Sequence, residues 1–262
     1  MLLNNFGNTC YINSVLQIFL NNNALTSYIK SVEYSKNSLL YYLKHLDQGD
    51  NLKNFLIKLQ DILKNNMTIN EQNDANEIYT KLIEIFEQED DGVSKLFTGT
   101  TKKIFKCKRC KNIRESKESF VNTNLYINDE STSLQESILS TFTTSVIDGL
   151  ECEHCNLKTQ TGVKYKISKW PKNLIFTINR FSLNSKISHD FEYTKYIDIC
   201  NKGSTNKYIL VGIINHIGSQ DAGHYTYIKI DRDKYTEFDD DKIRDCTNFK
   251  SKFNYMLIYT LI

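Results

Sequence analysis

A chain of 262 residues, 40% hydrophobic and 24% charged, can bury a core as one large domain or two small ones and is too apolar for global disorder. A formal charge of +2 sets up no strong field for nucleic acid or a membrane surface. No run approaches the roughly 20 apolar residues of a spanning helix, and the first residues lack signal-peptide character, so a cytoplasmic or nuclear protein is expected.

Ile12, Val15, Leu16, Phe19 and Leu20 recur at helical spacing, with Asn13, Ser14, Gln17 and Asn21 on the other face. This predicts a helix starting near Cys10 with Asn8 or Thr9 as its N-cap. Leu52, Phe55, Leu56, Leu59, Ile62 and Leu63 mark a second helix, and Ala75, Ile78, Tyr79, Leu82 and Phe86 a third. After the acidic stretch EQEDDG (87–92), read as a loop, the character changes to short runs rich in β-branched and aromatic residues: SFVNTNLYI, VKYKISKW, NLIFTINRF, KYILVGII, HYTYIKI and YMLIYTLI. A lone helical stretch, SLQESILSTF, interrupts these strands. Helices followed by strands predict an α+β arrangement rather than alternating βαβ units.

The seven cysteines are Cys10, Cys107, Cys110, Cys152, Cys155, Cys200 and Cys246. Without a secretory signal they read as thiols or metal ligands rather than disulfides. CKRC at 107–110 and CEHC at 152–155 form two knuckles, each flanked by strand-like sequence, able to supply four thiolates to one tetrahedral zinc. Neither pair opens a helix after a strand, as thioredoxin-like motifs do. Four cysteines fill the site, so His154 is left out, no position remains for water, and the zinc is expected to be structural.

Cys10, at a helix N-terminus, feels the positive end of the helix dipole, which favours thiolate. A nucleophile needs a base and a group to orient that base. His45 lies in a helical stretch, His154 in a knuckle, and His189 and His216 in polar, loop-like sequence. His224 opens the strand HYTYIKI, and KYTEFDDD follows across a polar turn, so the two form a hairpin. A two-residue loop at Asp231 and Arg232 places Asp239 opposite His224; a four-residue loop places Asp241 there. Asp240 points to the other face in both cases. Asp-Arg is not a favoured two-residue turn, so geometry alone leaves Asp239 and Asp241 open. Asn5, five residues before Cys10, can turn its amide toward an oxyanion at the nucleophile.

Taken together, these residues resemble the ubiquitin-specific protease family of deubiquitinating cysteine proteases. LLNNFGNTCYINSVLQ resembles its cysteine box, and GHYTYIKI with KYTEFDDDKI its histidine box. The resemblance implies Cys10 as nucleophile, Asn5 at the oxyanion hole, His224 as base and, as first acid after the phenylalanine, Asp239 as orienting residue. QNDANEIY is similar to the family's Gln-Asp-Ala-Glu segment, which implies Asp74 and Glu77 as contacts for the basic ubiquitin tail. Gly223, Tyr225 and the loop 216–222 are the expected lining of a narrow cleft for the terminal glycines of ubiquitin. The knuckles resemble the zinc-bearing fingers, and the likeness runs from about residue 2 to about residue 260. Ile12 stands where methionine is usual, Tyr235 stands where tryptophan is usual, and the chain is short, which suggests trimmed fingers and loops.

The implied fold is papain-like, one catalytic domain over 1–262 with a helical thumb (about 1–95), zinc-binding fingers and adjoining palm strands (about 96–180) and a palm with the histidine box (about 181–262). The implied function is hydrolysis after the C-terminal glycine of ubiquitin by a monomeric enzyme, with ubiquitin or ubiquitinated proteins as partners and neither nucleic acid nor membrane. The cysteine box starts so early that the chain reads as little more than a catalytic domain. Alternatives are a hydrolase for a ubiquitin-like modifier, a non-catalytic ubiquitin-binding module, and a zinc-ribbon nucleic-acid binder built on TKKIFKCKRCKNIRESK.

Overall fold

The computed structural model describes residues 1–262 except 65–66, 128–132, 142–143, 181–186, 188–190, 202–203 and 220–221. His189, one of the five histidines, lies outside the described residues. Six helices come first: α1 (Cys10–Leu20), α2 (Asn23–Ser31), α3 (Leu39–Lys44), α4 (Asn51–Leu63), α5 (Ala75–Glu89) and α6 (Asp91–Ser94). Then follow β1 (Gly99–Cys107), β2 (Ile113–Phe120), β3 (Thr123–Tyr126), α7 (Leu134–Thr141), β4 (Thr144–Cys152), β5 (Leu157–Lys169) and β6 (Asn173–Asn179). The chain closes with β7 (Tyr196–Asn201), β8 (Ser204–Gly218), β9 (Gly223–Asp231), β10 (Lys234–Asp239), β11 (Lys242–Cys246) and β12 (Asn254–Leu261). Among the described residues no helix is long and apolar enough to cross a membrane.

The expected apolar face of α1 is buried, but so is its polar face: Asn13, Ser14 and Gln17 are as inaccessible as Val15 and Leu16. The reason is local hydrogen bonding. Asn13 Nδ2 donates to the carbonyls of Leu3 and Asn4 and to Asp240, and Gln17 Nε2 donates to the Met1 carbonyl. The N-terminal residues cover what periodicity assigns to solvent, and α1 becomes a central helix. Phe19 on its inner side meets Phe86 and Phe97 edge-on, tying α1 to α5.

EQEDDG is not a loop: α5 runs through Glu89 and α6 begins at Asp91. The acids act as caps. Glu89 accepts from the Leu39 and Leu40 backbone N–H groups at 2.7 and 2.9 Å, satisfying the start of α3. Asp90 caps α6 through Gly92 N–H and also accepts the Tyr28 and Tyr34 hydroxyls.

The strands form two sheets. β2-β1-β5-β4 is a four-stranded antiparallel sheet in which each CxxC knuckle forms the tip of a hairpin. The larger sheet runs β11-β10-β9-β8-β12-β6-β3, with β7 paired to β8. One face of it carries Ile214, Tyr225, Tyr227, Phe238 and Met256 against the helices. The other carries Leu210, Ile213, Ile228, Leu257 and Tyr259 in a second core with Leu134 of α7. α1 therefore lies across β9 and β10, the strands that hold His224 and Asp239.

Candidate active site

Gly7 and Asn8 take positive φ (87° and 54°) and bend the chain immediately before α1. Asn5 holds that bend: its Oδ1 accepts from the backbone N–H of Gly7 and Thr9 and from the Thr9 hydroxyl, at 3.0, 3.1 and 3.2 Å. Thr9 occupies the N-cap position, but its side chain makes no capping bond to the helix, because it is engaged with Asn5 and Phe6 N–H. The first intrahelical bond runs from Asn13 N–H to the Thr9 carbonyl. The N–H groups of the Cys10 turn thus point toward the thiol end of the helix without a side-chain cap, an anion-binding arrangement.

Cys10 is 5% exposed, and its thiol lies close enough to His224 to act on the imidazole. His224 Nε2 lies 2.6 Å from Asp239 Oδ1, which leaves Nδ1 as the ring nitrogen for the thiol. The nearby Cys10 thiol is the largest influence on the imidazole and, with Asp239, raises its pKa to about 9 against the opposing effect of burial. The structure selects Asp239, but not through direct opposition. β9 and β10 pair with Asp231 opposite Lys234, so the turn is at Arg232 and Asp233, with Arg232 at φ 52°. That register points His224 toward Asp241. The ladder stops at Phe238 opposite Tyr227, and the chain turns back through Asp240 at φ 53°. Asp239 reaches His224 diagonally on the same face, a separation that long side chains bridge.

The expected cleft residues separate. Glu77 is exposed, whereas Asp74 is the N-cap of α5, accepting from Asn76 and Glu77 N–H at 2.8 and 3.0 Å and from the Tyr255 hydroxyl at 2.5 Å. Tyr225 is a correction: it is 8% exposed and stacks on His216 at 4.6 Å, a core residue beneath the site rather than part of its lining. His216 belongs to β8 and is buried, so 216–218 of the loop expected at 216–222 are strand, and residues 220–221 lie outside the described residues. Gly223 has a specific reason to be glycine, since an added Cβ would fall 2.0 Å from His216 Nε2. Its N–H donates to Gln72 Oε1 at 2.9 Å, tying the histidine strand to the segment before α5.

The two knuckles meet. The sulfurs of Cys107, Cys110, Cys152 and Cys155 lie within 4.8 Å of one another, and Cys110 and Cys152 are 3.6 Å apart. Tetrahedral coordination at Zn–S distances of about 2.3 Å requires S–S separations near ~3.8 Å, so the donors fit. Lys111 and Asn156, the residues after each second cysteine, both take positive φ (65° and 52°), curling both tips alike. The Thr159 hydroxyl leads in drawing the Cys107 thiol down to about 6, while burial and the neighbouring sulfurs push Cys155 up to about 12.

Comparison with known proteins places this geometry. The sequence matches the family pattern described as ubiquitin carboxyl-terminal hydrolase over residues 2–259. The chain belongs to the ubiquitin carboxyl-terminal hydrolase family. Ubiquitin carboxyl-terminal hydrolase 23 of Arabidopsis thaliana is 25% identical over 98% of this chain and 35% of its own length. Ubiquitin carboxyl-terminal hydrolase 17-like protein D of Mus musculus is 24% identical over 98% of this chain and 54% of its own. The chain thus spans about a third to a half of these relatives. A chain of the SAGA DUB module of Ubp8, Sgf11, Sus1 and Sgf73 bound to monoubiquitin superposes with a TM-score of 0.84 at 22% identity, over 100% of this chain and 69% of that one. The α+β fold expected for the family is the fold of this chain.

Three residues at the site in this member of the hydrolase family are given no role by the sequence analysis. Asp240 accepts from Asn5 Nδ2 and Asn13 Nδ2, both at 2.8 Å, and its carbonyl accepts from Leu3 N–H. Its carboxylate also comes within 4.8 Å of a His224 ring nitrogen and of Asp239, so the expectation that Asp240 faces away is corrected: the turn at Asp240 sets it between the histidine and the cysteine segment. Arg244 lies opposite Glu237, donates to it through Nε at 2.6 Å, and places Nη2 3.5 Å from Asp239 Oδ2. Gln72 is the third, and its position directly before the Asn-Asp-Ala motif was the available clue.

Proposed function

We propose that the chain is a cysteine-type deubiquitinase that hydrolyses the isopeptide or peptide bond after the C-terminal glycine of ubiquitin. The observation that carries this reading is the juxtaposition of Cys10, His224 and Asp239, with His224 hydrogen-bonded to Asp239, in a member of this hydrolase family. We assign about residues 1–95 to a helical thumb, about 96–180 to the zinc-binding fingers and adjoining palm strands, and about 181–262 to the palm with the histidine box, all of one catalytic domain.

In this mechanism the Cys10 thiolate attacks the glycine carbonyl carbon, and the oxyanion takes a hydrogen bond from Cys10 N–H and one from Asn5. Asn5 Nδ2 carries two hydrogens; Asp240 takes one and thereby aims the other. His224 imidazolium then protonates the departing lysine amine, leaving a thioester on Cys10. Neutral His224 next takes a proton from water, which attacks the thioester and releases ubiquitin and the thiolate. Asp239 fixes the ring orientation throughout, as carboxylates do in related triads.

Asn5→Ala removes one oxyanion donor, so kcat on a fluorogenic ubiquitin substrate is expected to fall about 10²–10³-fold with KM little changed. A KM effect alone would reassign Asn5 to binding. Because the imidazolium persists to about pH 9, kcat/KM should decline with a one-proton limb near that pH. Asp239→Asn removes a group that favours the charged ring, so the limb should move to lower pH while kcat falls by about 10²-fold or more. A limb unmoved by Asp239→Asn would remove Asp239 from the mechanism.

We place Zn2+ at Cys107, Cys110, Cys152 and Cys155, a structural ion that holds the two hairpin tips together. Exposed Glu77, rather than Asp74 with its carboxylate already occupied, is the better contact for the basic ubiquitin tail. Parallel rates on ubiquitin and ubiquitin-like fluorogenic substrates test the substrate: preference for a ubiquitin-like modifier would overturn it.

A further inference from the structure

The small total charge conceals a segregation that the fold makes visible. Residues 99–120 and 144–169, which build the four-stranded sheet, hold 12 lysines and arginines against five acids, while the rest of the chain holds 21 against 26. Four zinc-bound thiolates at the tips would leave the sheet basic. Pairing sorts the lysines further, because directly opposed residues of antiparallel strands share a face. Lys117 lies opposite Lys102, and Lys102 opposite Lys166, so one cross-strand row is lysine on three adjacent strands. Two residues along, Glu115, Ile104 and Lys164 form the next row, and the row beyond it centres on Lys106. Five lysines thus share a face with one carboxylate, Glu115, at 2.5 Å from Lys102. Lys106, Lys117, Lys164 and Lys166 are exposed and form no salt bridge among the described residues. Like charges directly opposed destabilise a sheet, a cost that an anion laid across the strands would offset.

We propose that this face of the four-stranded sheet is a docking surface for the phosphate backbone of duplex DNA. Its lysines are point charges suited to phosphates, whose neutralisation releases counterions. Phe105 and Tyr165 lie on the opposite face, so the lysine rows offer no aromatic platform on which single-strand bases could stack. The rows hold no arginine, asparagine or glutamine to read base edges, so binding is independent of sequence. They also lack the aromatic and arginine anchors that dominate protein interfaces. Reading of RNA 2′-hydroxyls would require more neutral polar side chains than the rows present. The surface is separate from Cys10 and does not depend on hydrolysis.

The test is fluorescence anisotropy of a labelled random-sequence DNA duplex titrated with the full chain. Binding is expected at low salt, with log K falling against log salt at a slope of about −4, as about 0.9 per phosphate predicts for four or five contacts. The triple variant Lys117→Glu, Lys164→Glu, Lys166→Glu should bind at least about tenfold more weakly while keeping its zinc content and its rate of Cys10 alkylation by a small thiol reagent. Reversal of Lys30, Lys36 and Lys53, exposed on the helical part, should leave DNA binding unchanged. No binding at about 50 mM salt, equal binding by the triple variant, or tighter binding of poly-glutamate or duplex RNA would overturn the proposal. Loss of hydrolysis in Cys10→Ala with DNA binding intact separates this surface from the proposed enzyme activity.

Discussion

Replacing Cys10 with alanine is expected to lower hydrolysis of a fluorogenic ubiquitin substrate by about 10⁴-fold or more and to abolish the covalent adduct with a ubiquitin probe bearing a C-terminal electrophile. The size follows from the chemistry: without sulfur there is no thioester, and His224 has no proton to manage. Folding should survive, because Cys10 is a small side chain at the first position of α1 and the anchors of that helix are Asn13, Gln17, Phe19 and Asp240. No other described thiol is placed to substitute. Burial, with Glu237 nearby, pushes the Cys246 thiol up and away from thiolate character, and the four knuckle cysteines face one another. His224 reports on the same event, since the Cys10 thiol is the largest influence raising it; in the alanine variant its titration should fall back from about 9 toward the ordinary histidine range. Histidine NMR titration reads this without substrate. Adduct formation by Cys10→Ala, or a His224 titration that does not move, would place the nucleophile elsewhere.

Most of the residues proposed for catalysis and zinc binding sit in local sequence patterns. Cys10 begins an apolar period, His224 begins a strand, and each knuckle is a two-residue gap between strand-like runs. Asp239 shows the limit of such reading. Alternation along a hairpin identifies a face, but the residue that meets His224 depends on where the ladder ends, and a positive-φ turn at Asp240 decides that. Asp239 was reached through family resemblance, not through the register. The polar face of α1 failed for a different reason. Amphipathic periodicity assumes one solvent-facing side, and nothing in Asn13 or Gln17 tells that residues 1–5 fold back over them. Charge misled at EQEDDG, because an acid at a loop and an acid at a helix cap look alike until the N–H groups of α3 and α6 are in place. The short helix α2 was not marked individually because its nine residues offer too few turns for a period to register, whereas α3 falls in the stretch around His45 read as helical. Net charge has a limit of the same kind: an average over the chain says nothing about a lysine row assembled by strand pairing.

The second large effect belongs to the knuckles. Cys152→Ser or Cys155→Ser is expected to take zinc from about one per chain to none and to unfold the four-stranded sheet while leaving the helices and the larger sheet intact. The sheet has little apolar burial of its own. β2 and β4 are exposed almost throughout, and buried apolar side chains are confined to a few positions such as Val163 and Ile167. Fully burying one such side chain contributes about 1.5–3 kcal/mol, whereas zinc bound by peptide-scale thiolate sites contributes roughly 10–16 kcal/mol. The metal therefore outweighs packing here. In the rest of the chain packing suffices, because two apolar cores flank the larger sheet. Hydrogen exchange should lose protection across 99–120 and 144–169 and keep it in α1, α5 and β12. KM for fluorogenic ubiquitin should rise by about tenfold or more, while alkylation of Cys10 by a small thiol reagent proceeds at an unchanged rate. That split distinguishes a gripping element from a catalytic one. Zinc-free, reduced protein with unchanged exchange protection and KM would show that the four thiols hold their sheet without an ion.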